Sequence, residues 1–160
     1  MNVLEIARSQ KGIGERADGS SKYGAWLDDQ PPKTSVYAEA DWCGAFQLWV
    51  IAQGGALWTA AAGGLNKHFA EVQVWFDWMR THDRISSQPK ARRLVWYDWA
   101  GTPKGANHIG MVDHFKASAI WAWEGNHDDE VRLVKRSRDR QIMGYGEWWD
   151  HIAADELRAG

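Results

Sequence analysis

The apolar residues change their period at Pro89, and that change restricts the architecture more than any other property of the chain. Before Pro89 they recur at steps of three and four, the spacing of a helix face. After it they come in short β-branched and aromatic runs, separated by glycine, lysine, asparagine and aspartate clusters. Helices first and successive strands afterwards predict an α+β fold, with N-terminal helices packed on an antiparallel β-sheet. At 160 residues and 18.2 kDa the chain fits one domain over 1–160 with a core near 2–149.

Asn2 predicts the cap of a first short helix, with Val3, Ile6 and Ala7 on one face and Gly12 and Gly14 ending it. A loop is expected from Asp18-Gly19-Ser20-Ser21 to Pro31-Pro32. Asp41 is the expected N-cap of a second helix, in which Ala45, Phe46, Trp49 and Val50 share a face and Cys43 lies in the first turn. The stretch 42–66 carries no charge, but Gln47, Gln53 and two glycine pairs interrupt the roughly 20 apolar residues that a membrane span needs. It reads as a buried helix followed by a glycine-rich loop, with no membrane insertion. Leu65, Phe69, Val72, Phe76 and Met79 form the core stripe of a third helix, with His82 and Asp83 just beyond it. Strands are expected over 94–99, 109–115, 119–123 and 131–134.

Composition narrows the function classes. A formal net charge of -2 and a pI near 6.3 leave no whole-protein basic field for nucleic acid. The run Arg132, Lys135, Arg136, Arg138 and Arg140 reads as a solvated edge. The amino terminus reaches Glu5 without an apolar stretch of signal-peptide length, so no signal peptide is expected. One cysteine, Cys43, permits neither an intrachain disulfide nor a Cys-x-x-Cys site, and leaves a packing residue or a reactive thiol. Tryptophan occurs 12 times against 8 leucines, a surplus that packing or ligand contact must explain.

At a helix start, a cysteine meets backbone N–H groups and a dipole that favour the thiolate, the environment a nucleophile requires. A base must then come from one of six histidines. His68 and His82 belong to the third helix, His127 to an acidic turn and His151 to the polar tail. His108 opens a strand and has Gly110 beside it on the same face, which leaves an imidazole room to meet a thiol. His114 shares that parity and is the second choice. Alternation places Ile120, Ala122 and Glu124 on one strand face and Trp121 and Trp123 on the other. Either Glu124 or Asn126, after a turn at Gly125, is placed to orient an imidazole.

The order Asp41-Trp42-Cys43-Gly44-Ala45-Phe46, Leu94-Val95-Trp96-Tyr97-Asp98-Trp99, His108-Ile109-Gly110-Met111-Val112 and Glu124-Gly125-Asn126 resembles the CHAP family. These are cysteine, histidine-dependent amidohydrolases and peptidases related to the NlpC/P60 peptidoglycan hydrolases. The segment Ile6-Ala7-Arg8-Ser9-Gln10, with Tyr23 and Trp26, is similar to CHAP domains of actinobacteria and their phages. The resemblance implies a papain-like fold and a catalytic set of Cys43 as nucleophile, His108 as base, Glu124 as the group polarising the imidazole, and Asn126 as a further polar group. Trp42, Tyr23 and Trp26 are the expected substrate contacts. One departure is visible: such domains carry a Gly-Asp pair before the central strand, where this chain has Arg92-Arg93.

The activity implied is cleavage of an amide bond in bacterial peptidoglycan, as an N-acetylmuramoyl-L-alanine amidase or an endopeptidase. The expectation is a monomeric lysin of phage type that waits in the host cytoplasm before release to the wall. No cofactor is expected, and no metal, because Asp28, Asp29 and Asp41 lack EF-hand spacing. The rival expectations are a non-catalytic wall-binding module, whose tryptophans would stack on sugars, and a papain-like protease or deamidase acting on proteins.

Overall fold

The computed structural model describes residues 2–54, 67–99 and 105–148. Its order is α1 (Val3–Ser9), α2 (Lys22–Asp29), α3 (Cys43–Gln53), a 3-10 turn (Lys67–Ala70), α4 (Val72–Thr81), β1 (Ile85–Ser86), β2 (Leu94–Tyr97), β3 (His108–Phe115), β4 (Ala119–His127), β5 (Glu130–Ser137) and β6 (Ile142–Gly146). The strands form one antiparallel sheet ordered β1-β6-β2-β3-β4-β5. The α+β expectation therefore holds, with helices preceding an antiparallel sheet. Among the described residues no helix is long and apolar enough to cross a membrane. Leu65, the glycine-rich loop over 55–66 and His151 lie outside the described residues.

Helix α1 begins as its sequence predicts: the Asn2 side chain accepts from the N–H groups of Leu4 and Glu5, and Glu5 returns a bond to the Asn2 N–H. Helix α2 falls inside the expected loop and corrects it. Ser21 caps it by accepting from the Gly24 N–H, and its buried face is Tyr23, Gly24, Leu27 and Asp28. Asp41 does not cap α3; Trp42 holds that position, and its side chain makes no capping hydrogen bond. Eight of the eleven α3 residues are buried, including Gln47, so the helix is apolar nearly all round and central to the core. It packs on the middle of the sheet, where Gln47 donates to the Trp123 carbonyl at 2.9 Å.

Leu94, Trp96, Ile109, Met111, Trp123 and Val131 join the helices in the main core. On the opposite sheet face Val95, Tyr97, Val112, Ile120, Ala122 and Tyr145 make a second, smaller cluster. The β4–β5 turn is tight because Asp128 and Asp129 both adopt positive φ, 49° and 61°, the requirement of a two-residue hairpin turn. Ahead of β2, Arg92 takes φ 74° at the site of the departure from the Gly-Asp pattern. A turn of the kind that favours glycine is thus made with arginine.

Among the described residues most tryptophans are packing residues: Trp42, Trp75, Trp96, Trp123 and Trp148 are buried, and Trp26, Trp49 and Trp78 lie partly buried against the main core.

Candidate active site

Cys43 is the first residue of α3, and the first helical hydrogen bond runs from the Phe46 N–H to the Trp42 carbonyl at 2.9 Å. The N–H groups of Cys43, Gly44 and Ala45 therefore precede the intrahelical ladder, at the positive end of the helix dipole. The thiol borders a cavity of about 540 Å³. Val36, Tyr37, Ala40 and Val72 give it an apolar wall, and Asp41 and Glu71 contribute carboxylates.

His108 opens β3 opposite Tyr97 and is 8% exposed. Its Nε2 faces Glu124 Oε2 at 3.0 Å, and the Cys43 thiol is near enough to the ring to affect its ionisation. Burial alone would push the imidazole pKa down, but the hydrogen bonds and charges of Cys43 and Glu124 outweigh it and raise the pKa to about 9. The Cys43, His108 and Glu124 side chains are thus brought together from α3, β3 and β4.

Glu124 has no exposed surface. Burial opposes its ionisation, yet hydrogen bonds from His108 and Arg136, with their charges, hold the carboxyl below its ordinary value. Gly110 makes room for it: a Cβ there would lie 3.0 Å from Glu124 Cγ and 3.1 Å from Ala122 Cβ. The space foreseen for a thiol is taken by the carboxylate's own stem.

Several expected positions need correction. His114 is not on the His108 face, because a bulge between Val112 and His114 reverses parity and pairs His114 with Trp121. There it is half exposed, bonded to Asp113 at 2.8 Å and stacked on Trp121 at 4.6 Å. Asn126 does not meet the imidazole; in a left-handed conformation at φ 56° it donates to Asp41 Oδ1 at 3.3 Å. Gly125 is required by a close approach, not a sharp turn, since a Cβ would meet Phe46 Cβ at 2.6 Å.

The expected substrate contacts Tyr23 and Trp42 are core residues. They stack on each other at 5.2 Å, Trp42 donates to Glu15 at 3.0 Å, and Tyr23 packs edge-on against Phe46. Both are almost fully buried and unavailable to a ligand. Trp26 is half buried and packs against the same core. The wall of the cavity beside Cys43 comes instead from the segment after α2 and the start of α4.

Sequence reasoning missed two groups. Arg136, read as a solvated charge, donates from Nε to Glu124 Oε1 at 3.0 Å and from Nη2 to Oε2 at 2.5 Å. His127 lies beside this pair, with Nδ1 at 3.4 Å from Arg136 Nη2 and 3.8 Å from Glu124 Oε2. The hairpin turn could have placed Arg136 on the Glu124 face. Its reach could not be read, because Arg136 stands opposite Ile120, four residues from Glu124.

Asp28 shapes the cavity wall from behind. Its carboxylate accepts from Thr34 Oγ1 at 2.7 Å and from the N–H groups of Val36, Tyr37 and Ala38. Among the described residues, no group of three or more His, Cys, Asp or Glu side chains is placed to hold a metal ion. Comparison with models of known families finds none that matches the chain, and comparison with curated proteins finds no significant match.

Proposed function

We propose that this protein is a cysteine-dependent peptidoglycan hydrolase of CHAP type, cleaving an amide bond of the bacterial wall peptide. The observation that carries the reading is a thiol at a helix N-terminus that interacts with a buried histidine, whose Nε2 in turn meets a buried carboxylate. The resemblance of the Cys43, His108 and Glu124 segments to CHAP domains supports the choice of substrate.

In this reading Cys43 attacks as a thiolate beside the His108 imidazolium, the form of the base that its raised pKa favours. Sγ attacks the amide carbon, and the carbonyl oxygen becomes an oxyanion received by the Cys43 N–H at the start of α3. His108 gives its proton to the leaving amine as the C–N bond breaks, which leaves a thioester on Cys43. Water, losing a proton to His108, attacks the thioester; the carboxylic acid departs and the thiolate–imidazolium pair returns. Glu124 stabilises the imidazolium throughout.

The wall-binding alternative uses no thiol chemistry and relies on exposed aromatic platforms, whereas Trp42 and Tyr23 are buried. Mass spectrometry of fragments released from peptidoglycan of defined structure tests the proposal. Release of stem peptides from the muramic acid identifies an amidase, and cleavage within the stem or cross-bridge an endopeptidase. Intact peptidoglycan together with cleavage of a protein substrate would favour the papain-like protease.

A further inference from the structure

We propose that Arg136 is a positioning residue of the Cys43–His108–Glu124 centre, keeping Glu124 ionised and aimed at the imidazole; the proposal rests on the reading of that centre as catalytic. Glu124 Oε2 is shared between His108 Nε2 at 3.0 Å and Arg136 Nη2 at 2.5 Å, while Oε1 is held by Arg136 Nε at 3.0 Å. With one oxygen shared and the other pinned, the carboxylate cannot rotate away from His108 without breaking a charge-assisted bond.

The guanidinium is itself held in place. It lies 4.4 Å from the Trp99 ring centre and 5.5 Å from that of Tyr97, and these two rings stack on each other at 4.6 Å. The same rings flank His108, at 5.7 Å and 5.9 Å. Base and guanidinium therefore share one aromatic wall, which fixes both ends of the carboxylate's hydrogen-bond set.

A carboxylate with no exposed surface is costly to ionise without a permanent counter-charge. His108 cannot serve as one, because it must release its proton in each cycle. Arg136 stays charged at every working pH. The other titratable groups facing this pair are Cys43 from α3, Tyr97 from β2 and His127 from β4, with Tyr145 of β6 beside Tyr97. None of them supplies a permanent positive charge. Arg132, opposite Glu124 in the ladder, is engaged by Glu130 and Asp128 instead.

The test measures Cys43 alkylation by iodoacetamide against pH, a readout that needs no substrate, beside kcat and KM on a peptidoglycan fragment. In Arg136→Gln the acid limb of alkylation shifts upward, because the Glu124 carboxyl is no longer held below its ordinary value and gives up the imidazolium as it takes a proton. The kcat falls roughly 10- to 100-fold, as for outer partners of catalytic groups, with KM within about twofold. Arg136→Lys restores the acid limb but not the full kcat, because it returns the charge without the fork.

In a Glu124→Gln background, Arg136→Gln lowers kcat no further, since its action runs through the carboxylate. An unchanged alkylation profile in folded Arg136→Gln, or effects that multiply in the double variant, would overturn the proposal. If Arg136→Gln does not fold, the double variant, which lacks both charges of the pair, decides against Glu124→Gln alone: equal kcat supports the proposal and lower kcat overturns it. Should the wild type leave peptidoglycan intact, the substrate reading fails while the alkylation profiles still judge Arg136.

Discussion

Replacing Glu124 by glutamine keeps the side chain's shape and removes a charge that has no exposed surface. The size of the effect follows from His108, held at about 9 against an ordinary 6.5. Each pKa unit is worth about 1.4 kcal/mol, so the imidazolium is favoured by on the order of 3 kcal/mol net of burial, with Cys43 and Glu124 both contributing. The partly buried Arg136 also loses its anion; breaking a fully buried pair costs about 3–5 kcal/mol. The glutamine carbonyl still accepts one guanidinium bond, which puts the expected loss near the lower end, about 3 kcal/mol.

The pH dependence has a definite sign. A histidine whose pKa is raised in the folded state contributes stability that is fully present below about 6.5 and lost as pH rises through about 9. Glu124, held below its ordinary 4.5, contributes stability present above that value and lost as pH falls through its folded pKa. Urea denaturation at a series of pH values measures both. At m-values of about 1–3 kcal/mol/M, the loss at pH 6 lowers the wild-type midpoint by about 1–3 M. The wild-type midpoint declines between pH 6.5 and 9, and in Glu124→Gln that decline shrinks. A variant curve running parallel to the wild type through this window would refute the coupling of His108 to Glu124.

The two strand histidines separate cleanly: His108→Ala should lower the release of amines from peptidoglycan at least about 100-fold, the scale of general acid–base catalysis, while His114→Ala stays within about twofold. The reverse result would exchange their roles. Gly125→Ala should cost about 1–3 kcal/mol of stability, because its methyl would press on Phe46 in the central helix; an unchanged thermal midpoint would show that α3 and β4 can part without cost.

The parts legible in the sequence were those set by local chemistry. Asn2 announces α1 because the cap and the N–H groups it accepts from lie within four residues. Strand alternation put His108 and Glu124 each beside a small neighbour, and the resemblance to CHAP domains singled them out. Helix α2 was missed because it has only eight residues, includes Gly24, and follows serines that read equally well as a loop. Strand β6 was missed because two of its five residues are glycine. Its partner β1 has only two residues, too few for any alternation to be read.

Long-range register explains the remaining errors. The bulge that turns His114 away and the four-residue offset between Glu124 and Arg136 arise from strand pairing, and neither leaves a mark in a short window. Trp42 shows the same limit at close quarters. Adjacency to Cys43 suggested a groove residue, but at a helix start successive side chains diverge, and its indole stacks on Tyr23 while the thiol meets His108.

The central claim, that Cys43 is the nucleophile of an amide-cleaving centre, is tested most directly by titrating new amino groups released from purified peptidoglycan by the wild type and by Cys43→Ala. Wild-type protein should release them steadily, and the alanine variant, with unchanged circular dichroism, should release none above background. Release by folded Cys43→Ala at a rate comparable to wild type would contradict the account.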